Sequence, residues 1–195
     1  SDTNNHRVRK VSPAGEALLA FNLPQAPPGA EDDDDVEDDD DPPGLGKPVG
    51  IALDLAGNIY VADPKGSRAL KFDPAGRLLL AIQIEEIREG ELRRGKPEGI
   101  AVAPSGDCIL VSDRKLSAVF KFDRFGNRNL RFGRRGAIKD NKPLPAEIVF
   151  HKPGGMALDG EGNLLVADRN NNRIQKFGMP TGRPALVVPA PRAEE

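Results

Sequence analysis

Three aspartates are the most regularly placed residues of this chain that could do chemistry. Asp63, Asp113 and Asp168 each follow a short apolar segment of similar sequence. A ring of such carboxylates could bind a metal ion or transfer protons. An aspartate at the end of a strand also accepts hydrogen bonds from the backbone N–H groups of the turn that follows. We therefore predict a structural role for all three, with no catalytic residue among them.

Few other residue types are available for catalysis or metal binding. The 195 residues include two histidines, His6 and His151, and one cysteine, Cys108. Two histidines at non-equivalent positions make neither a zinc site nor a catalytic triad. Cys108 lies within an apolar strand and is predicted to be a buried small residue rather than a nucleophile. The sequence therefore predicts no metal site, no cofactor and no catalytic residues.

The aspartates belong to a unit that occurs three times. Each copy opens with Lys-Pro-x-Gly and continues through a glycine turn to an apolar strand that ends in Asp. The openings are Lys47–Leu53, Lys96–Val102 and Lys152–Leu158, and their shared glycines are Gly50, Gly99 and Gly155. The distance from Lys to Asp is 16, 17 and 16 residues. Constant unit interiors joined by variable connections are typical of repeated supersecondary structures.

The local pattern within each unit predicts antiparallel strands. Apolar residues alternate with their neighbours in Ile59–Asp63 and Arg68–Phe72, which is the period-2 pattern of a strand. Turns such as Asp73-Pro74-Ala75-Gly76 are typical of hairpin connections. Each unit is thus predicted to be a meander of about four strands, and tandem sheets of this kind stack around an axis. The fold class is predicted to be all-β, a β-propeller.

The repeat resembles the NHL repeat, and Asp168–Phe177 is close to its consensus. The resemblance implies a propeller of four-stranded blades, usually six in number. Since about three and a half blades are present here, we expect a partial ring or a fragment of a larger propeller. The predicted division is residues 1–23 as the rear half of a blade, 24–46 as an insertion, 47–83 as a blade, 84–95 as a joint, 96–133 as a blade, 134–151 as a joint, and 152–195 as a blade and C-terminal tail.

The insertion contains a dense acidic tract. Ten of the 30 acidic residues lie between Glu31 and Asp41, and without them 28 basic residues face 20 acidic ones. Like charges at this density repel one another and bury nothing, so the sequence predicts a disordered, solvated loop. The rest of the chain is a basic body.

The candidate binding residues form a basic cluster at the end of the third unit. Loops that the repeat does not constrain are where a propeller can vary its partners. The cluster comprises Arg124, Arg128, Arg131, Arg134, Arg135 and Lys139. Arginine suits bidentate pairing with carboxylates and phosphates, so an acidic peptide or an RNA backbone would fit it.

The resemblance to the NHL domains of tripartite-motif ubiquitin ligases implies a non-catalytic platform that binds protein or peptide partners. It would be the substrate-recognition part of such a ligase, with the activity in a RING domain absent here. One alternative is a single-stranded RNA-binding propeller, although aromatic residues make up only 5% of the chain. The other is an enzyme of the NHL-like lyase or lactonase type; the amidating-lyase branch needs a histidine-bound metal, for which two histidines are too few.

The remaining expectations concern the surroundings of the protein. No apolar run approaches the roughly 20 residues that span a bilayer, so no membrane association is expected. The predicted location is the cytoplasm. An incomplete ring would expose the apolar faces of its terminal blades, which would favour self-association.

Overall fold

The computed structural model describes residues 1–26, 46–137 and 147–178. These residues form strands and turns, with two single-turn 3-10 helices. The predicted insertion at 24–46 and the residue Lys139 fall largely or wholly outside the described ranges. No helix of the described residues is long and apolar enough to cross a membrane.

The strands form a hairpin followed by three larger sheets. The hairpin consists of β1 and β2, blade A of β3 to β6, blade B of β9 to β12, and blade C of β15 to β17. Two smaller pairs, β7 with β8 and β13 with β14, lie between the blades. In chain order the strands are β1 Arg7–Val11, β2 Ala17–Asn22, β3 Ile51–Leu53, β4 Ile59–Asp63, β5 Arg68–Phe72, β6 Leu78–Gln83, β7 Glu85–Arg88, β8 Glu91–Arg94, β9 Pro97–Val102, β10 Cys108–Asp113, β11 Ala118–Asp123, β12 Arg128–Phe132, β13 Arg134–Arg135, β14 Val149–Phe150, β15 Pro153–Leu158, β16 Leu164–Asp168 and β17 Arg173–Phe177.

The blades stack face to face because both faces of their middle strands are apolar. In β4, Tyr60 and Ala62 pack with blade B, while Ile59 and Val61 pack with the first hairpin. On blade B, Leu110 faces Leu164 and Val166 of blade C. Strands with two apolar faces cannot be buried within a single sheet, so neighbouring sheets must cover them. The all-β propeller class predicted from the sequence is confirmed.

Glycines near the start of the innermost strands allow neighbouring blades to approach closely. A Cβ atom added to Gly50 would lie 2.5 Å from the carbonyl oxygen of Glu98 in the next blade. One added to Gly99 would collide with the carbonyl oxygen of Gly154 in blade C. At Gly155 a Cβ atom would meet nothing within 4 Å. The first two glycines are therefore required by packing between blades, and Gly155 is not.

The joint between blades A and B contains a hairpin that the repeat pattern does not indicate. Strands β7 and β8 pair directly from Glu85 opposite Arg94 to Arg88 opposite Glu91. Glu89 and Gly90 form its two-residue turn with φ values of 56° and 82°. Two successive positive φ angles are typical of the type I′ turn that suits a tight hairpin.

The joint between blades B and C brings two short strands side by side. Arg134 and Arg135 of β13 pair in parallel with Val149 and Phe150 of β14. This pairing places Arg135 beside the start of blade C. The arrangement matters for the site described next.

Candidate functional site

The repeat aspartates are held in a common way at one end of the blades. Asp63 accepts hydrogen bonds from the backbone N–H groups of Lys47 and Gly66, at 2.8 and 3.1 Å. Its second carboxylate oxygen accepts from Nε of Arg68 at 2.8 Å. Both side chains of this pair are almost fully buried. We call this end of the blades the Asp face.

The same pair recurs at two other copies. Nε of Arg7 lies 2.7 Å from Oδ2 of Asp2, and Nε of Arg173 lies 2.9 Å from Oδ2 of Asp168. In both, the arginine follows the aspartate by five residues, as it does at Asp63. A buried carboxylate is stable when it is paired and hydrogen-bonded in this way.

Asp113 of blade B lacks the arginine because Ala118 occupies its position. Oδ1 of Asp113 accepts hydrogen bonds from the backbone N–H groups of Lys115 and Leu116, at 3.0 and 2.7 Å. Oδ2 is buried and has no hydrogen-bond partner among the described residues. Burial raises the pKa of Asp113 to about 7, although the backbone donors oppose this rise. This carboxyl group therefore changes charge near neutral pH.

A cavity of about 320 Å³ lies on the Asp face next to this aspartate. Three segments line it: the start and the turn of blade B, strand β13, and the start of blade C. The lining residues are Lys96, Arg114, Lys115, Ser117, Arg135, His151 and Lys152. Five of them are cationic and none is acidic. Asp113 directly precedes Arg114 and Lys115 in the chain but is not itself a lining residue.

His151 is fixed through its backbone. Its N–H donates to Oδ1 of Asp168 at 2.7 Å, and its carbonyl accepts from the N–H of Asn170 at 3.0 Å. The Nδ1 atom of its ring is buried and has no hydrogen-bond partner within the described ranges. A buried imidazole nitrogen without a partner is unusual, because such atoms are nearly always hydrogen-bonded.

An ion-pair cluster beside the cavity links blades B and C. Glu98 lies 3.3 Å from Nε of Arg114 and 3.0 Å from Nη1 of Arg169. Arg114 is therefore shared between the cavity wall and this cluster. The cluster ties the turns of the two blades together at the Asp face.

The predicted basic cluster is divided in the structure. Nη1 of Arg128 donates to the carbonyl of Glu85 at 2.9 Å, and Nε of Arg131 pairs with Glu86 at 3.1 Å. Arg134 pairs with Glu147. Arg124 is exposed, and Arg135 alone of the described members lines the cavity. The structure thus brings one of the predicted binding residues to the candidate site. Their proposed role in binding stays a prediction.

Sequence reasoning did not select Asp113 or His151 for a functional site. The signal for Asp113 was present, since Ala118 replaces an arginine that the neighbouring copies retain. His151 gives no such signal, because the cavity that it lines is assembled from segments distant in the chain.

The described residues do not fit a histidine-bound metal. They include no group of three or more His, Cys, Asp or Glu side chains that could hold an ion. Nδ1 of His6 lies 2.9 Å from the carbonyl of Gly46, and His151 lies among cationic side chains that would repel a metal ion. No reaction step through a metal is derived from these residues.

A second cavity, of about 720 Å³, follows the innermost strands of the three blades. It is mainly apolar, with Ile51, Ile100 and Met156 among its walls. Cys108 also lines it and is half-buried. Burial raises the pKa of the Cys108 thiol, which makes it a poor nucleophile at neutral pH.

Comparison with known proteins identifies the repeat. The family model described as NHL repeat matches residues 150–177, which span β14 to β17. The chain is an NHL-repeat propeller protein. Among solved structures, this NHL-repeat protein is similar to a catalytically inactive virginiamycin B lyase from Staphylococcus aureus with quinupristin. The TM-score is 0.63 at 15% identity, over 96% of this chain and 51% of that one. At this identity the similarity shows the fold.

Two sequence relatives carry the names of enzymes. The NHL-repeat protein is 29% identical over 149 residues to the probable peptidyl-alpha-hydroxyglycine alpha-amidating lyase pgal-1 of Caenorhabditis elegans, covering 70% of this chain and 41% of the relative. It is 30% identical over 139 residues to the peptidylglycine alpha-amidating monooxygenase of Rattus norvegicus, covering 69% of this chain and 14% of the relative. The chain thus spans less than half the length of either relative.

These relatives overturn the predicted function. The sequence analysis expected a non-catalytic platform and no enzyme, and that expectation is wrong because the similar proteins are lyases and monooxygenases. The terms protein binding, RNA binding and ubiquitin ligase find no support among them. The error came from requiring a local catalytic motif or a histidine set, whereas a propeller assembles its sites from single residues of different blades.

Proposed function

We propose that this chain forms part of a lyase, with the cavity beside His151 as its substrate site. The observation that carries the proposal is the similarity to the amidating lyases over about 70% of the chain. Support comes from two titratable groups of the Asp face, the carboxyl group of Asp113, whose Oδ2 has no hydrogen-bond partner among the described residues, and the ring of His151.

When a peptidyl-α-hydroxyglycine releases its amide, the hydroxyl group loses its proton and becomes a carbonyl, the Cα–N bond breaks, and the departing nitrogen takes up a proton. His151 is the group in the cavity wall that can accept such a proton, because a neutral imidazole has one unprotonated ring nitrogen. Its backbone hydrogen bonds to Asp168 and Asn170 hold the residue in place. A fixed base loses less entropy when it meets a substrate.

The cationic lining residues would orient the substrate. Lysine and arginine donate charge-assisted hydrogen bonds to anionic groups, and arginine can do so with two parallel bonds. Asp113 directly precedes two residues of this wall, Arg114 and Lys115, so a change in its charge alters the electrostatic field near the cavity. The pKa of about 7 places that change near neutral pH.

The proposal is tested by incubating the 195-residue chain with a peptidyl-α-hydroxyglycine and measuring the formation of peptide amide. His151→Asn is expected to lose at least about tenfold in rate, because a positioned general base contributes on the order of 10² or more. The matched control is His6→Asn. His6 has a φ of 52°, and Asn172 occupies the equivalent position of blade C with a φ of 48°, so asparagine fits there.

Two results would contradict the proposal. One is a wild-type chain that releases no amide from the substrate. The other is a folded His151→Asn variant that retains the wild-type rate, which would remove His151 from the reaction. Circular dichroism and the melting temperature establish that each variant is folded.

A further inference from the structure

The charge of the Asp-face cavity is far from balanced. Its lining contains Lys96, Lys115, Arg135 and Lys152 as well as Arg114, and no acidic side chain. Arg114 is partly neutralised by Glu98 at 3.3 Å. Within the described ranges, Arg135 and Lys152 take part in no ion pair. These two cations therefore border a space of about 320 Å³ without an acidic partner in that part of the chain.

The contrast with the other basic residues of the joint is informative. Arg128, Arg131 and Arg134 direct their guanidinium groups to carboxylates or carbonyls of the chain itself. Surface cations that only keep a protein soluble usually extend into water or pair with neighbouring acids. Arg135 and Lys152 are also exposed, but both border the same cavity, one from β13 and the other from the start of blade C, beside the buried Lys96.

The donors of this cavity come from different directions. Lys96 and Lys115 belong to blade B, Arg135 to the joint, and His151 and Lys152 to the start of blade C. The side chain of His151 lines the same cavity. A single carboxylate has two oxygens in one plane, whereas a phosphate or sulfate group presents oxygens tetrahedrally. Because two of the cations, Arg135 and Lys152, have no acidic partner among the described residues, the cavity suits an anion with two negative charges.

We propose that this cavity binds a dianion of the phosphate class, and that the substrate carries such a group. The claim about the substrate rests on the proposed lyase function, whereas the claim that the cavity binds such a dianion does not. A peptidyl-α-hydroxyglycine carries a single carboxylate on its terminal hydroxyglycine. A phosphate-class group elsewhere on such a peptide would therefore add to its binding, while the unmodified peptide remains a substrate. Its dianion would neutralise two of the cavity's cations.

The test measures binding to the 195-residue chain by isothermal titration calorimetry at pH 7.5 and constant ionic strength. The probes are inorganic phosphate and glycerol 2-phosphate, with acetate as the monoanion. We expect both phosphates to bind at least about tenfold more tightly than acetate, because they accept more charge-assisted hydrogen bonds. If inorganic phosphate binds and the monoester does not, the ligand is the free ion and the substrate clause fails.

A pair of double variants with equal charge locates the site. Arg135→Ser with Lys152→Ser removes two cations from the cavity and is expected to weaken phosphate binding at least about tenfold. Arg88→Ser with Arg93→Ser removes two cations from the hairpin of β7 and β8 and is expected to change binding less than about twofold, since neither residue lines the cavity and salt screens exposed charges. Equal losses in both variants would show a non-specific charge effect and overturn the proposal.

The outcomes separate this inference from the lyase proposal. If phosphate binds no better than acetate while the release of peptide amide still depends on His151, the phosphate-class site fails and the lyase stands. If phosphate binds at the cavity but no amide is released, the site stands without that activity.

Discussion

Nε of Arg68 donates a hydrogen bond to Oδ2 of Asp63 over 2.8 Å in blade A, whereas Ala118 occupies the arginine position opposite Asp113 in blade B. The two aspartates are equivalent in the repeat and are both fully buried. One carboxylate is neutralised by a guanidinium group and the other is not. The predictions below begin from this difference.

Asp113→Asn is expected to reduce the pH dependence of stability. The folded-state pKa of Asp113, about 7, lies above the ordinary value of 3.8, so the folded chain holds a proton that the unfolded chain has lost. Stability therefore falls as the pH rises from about 4 to about 7, by at most about 1.4 kcal/mol for each pH unit. The asparagine variant has no carboxyl group at this position, so its free energy of unfolding should fall less between pH 5 and pH 8. Urea unfolding at these two pH values measures the difference.

Asp63→Asn is the matched control for that experiment. It breaks a buried ion pair and leaves Arg68 without its carboxylate, so we expect a loss of about 3 to 5 kcal/mol in the free energy of unfolding. An Asp113→Asn variant whose stability falls with pH as steeply as the wild type would contradict the assigned titration.

Restoring the arginine in blade B should lower the pKa of Asp113. Blade C has Asn171 and Arg173 at the positions of Leu116 and Ala118, and both of those side chains donate to Asp168. The double variant Leu116→Asn, Ala118→Arg copies that arrangement. We expect the pKa of Asp113 to fall below 7, because a neighbouring guanidinium favours the charged carboxylate. A carbon-detected NMR titration of the carboxyl group would show it, and an unchanged midpoint would contradict the pairing.

The repeat glycines should differ in their tolerance of alanine. Gly50→Ala and Gly99→Ala place a methyl group against the backbone of the next blade, which cannot move aside as a flexible side chain would. We expect each to cost about 1 to 3 kcal/mol, the usual range for overpacking. Gly155→Ala meets open space and should be nearly neutral. Thermal unfolding ranks the three variants, and an equal loss in all of them would disprove the packing explanation.

Cys108 should react slowly with thiol reagents in the folded chain. Burial in the sheet raises the pKa of its thiol and limits access to the sulfur. We expect alkylation by iodoacetamide at pH 7.5 to be at least about tenfold slower than in urea, since the thiolate is the reactive species. A rate that urea does not change would indicate an exposed thiolate.

The sequence predicted the fold through features that act locally. Lys-Pro openings, glycine turns and alternating apolar residues determine each strand within about 30 residues, so strand pairs such as β4 and β5 could be recognised from their pattern. The cavity could not be recognised in this way. Its walls come from Lys96, Arg135 and His151, which are separated by more than ten residues in the chain and meet only when blades B and C stack.

The hairpin of β7 and β8 is a practical attachment point on this molecule. Arg128 and Arg131 hold its base through Glu85 and Glu86, while the Glu89–Gly90 turn projects beyond the sheet and Ile87 is 76% exposed. Exposed turns of this kind accept inserted sequence more readily than buried backbone does. A fluorescent domain spliced between Glu89 and Gly90 would remain connected through two paired strands and would leave both chain termini unmodified.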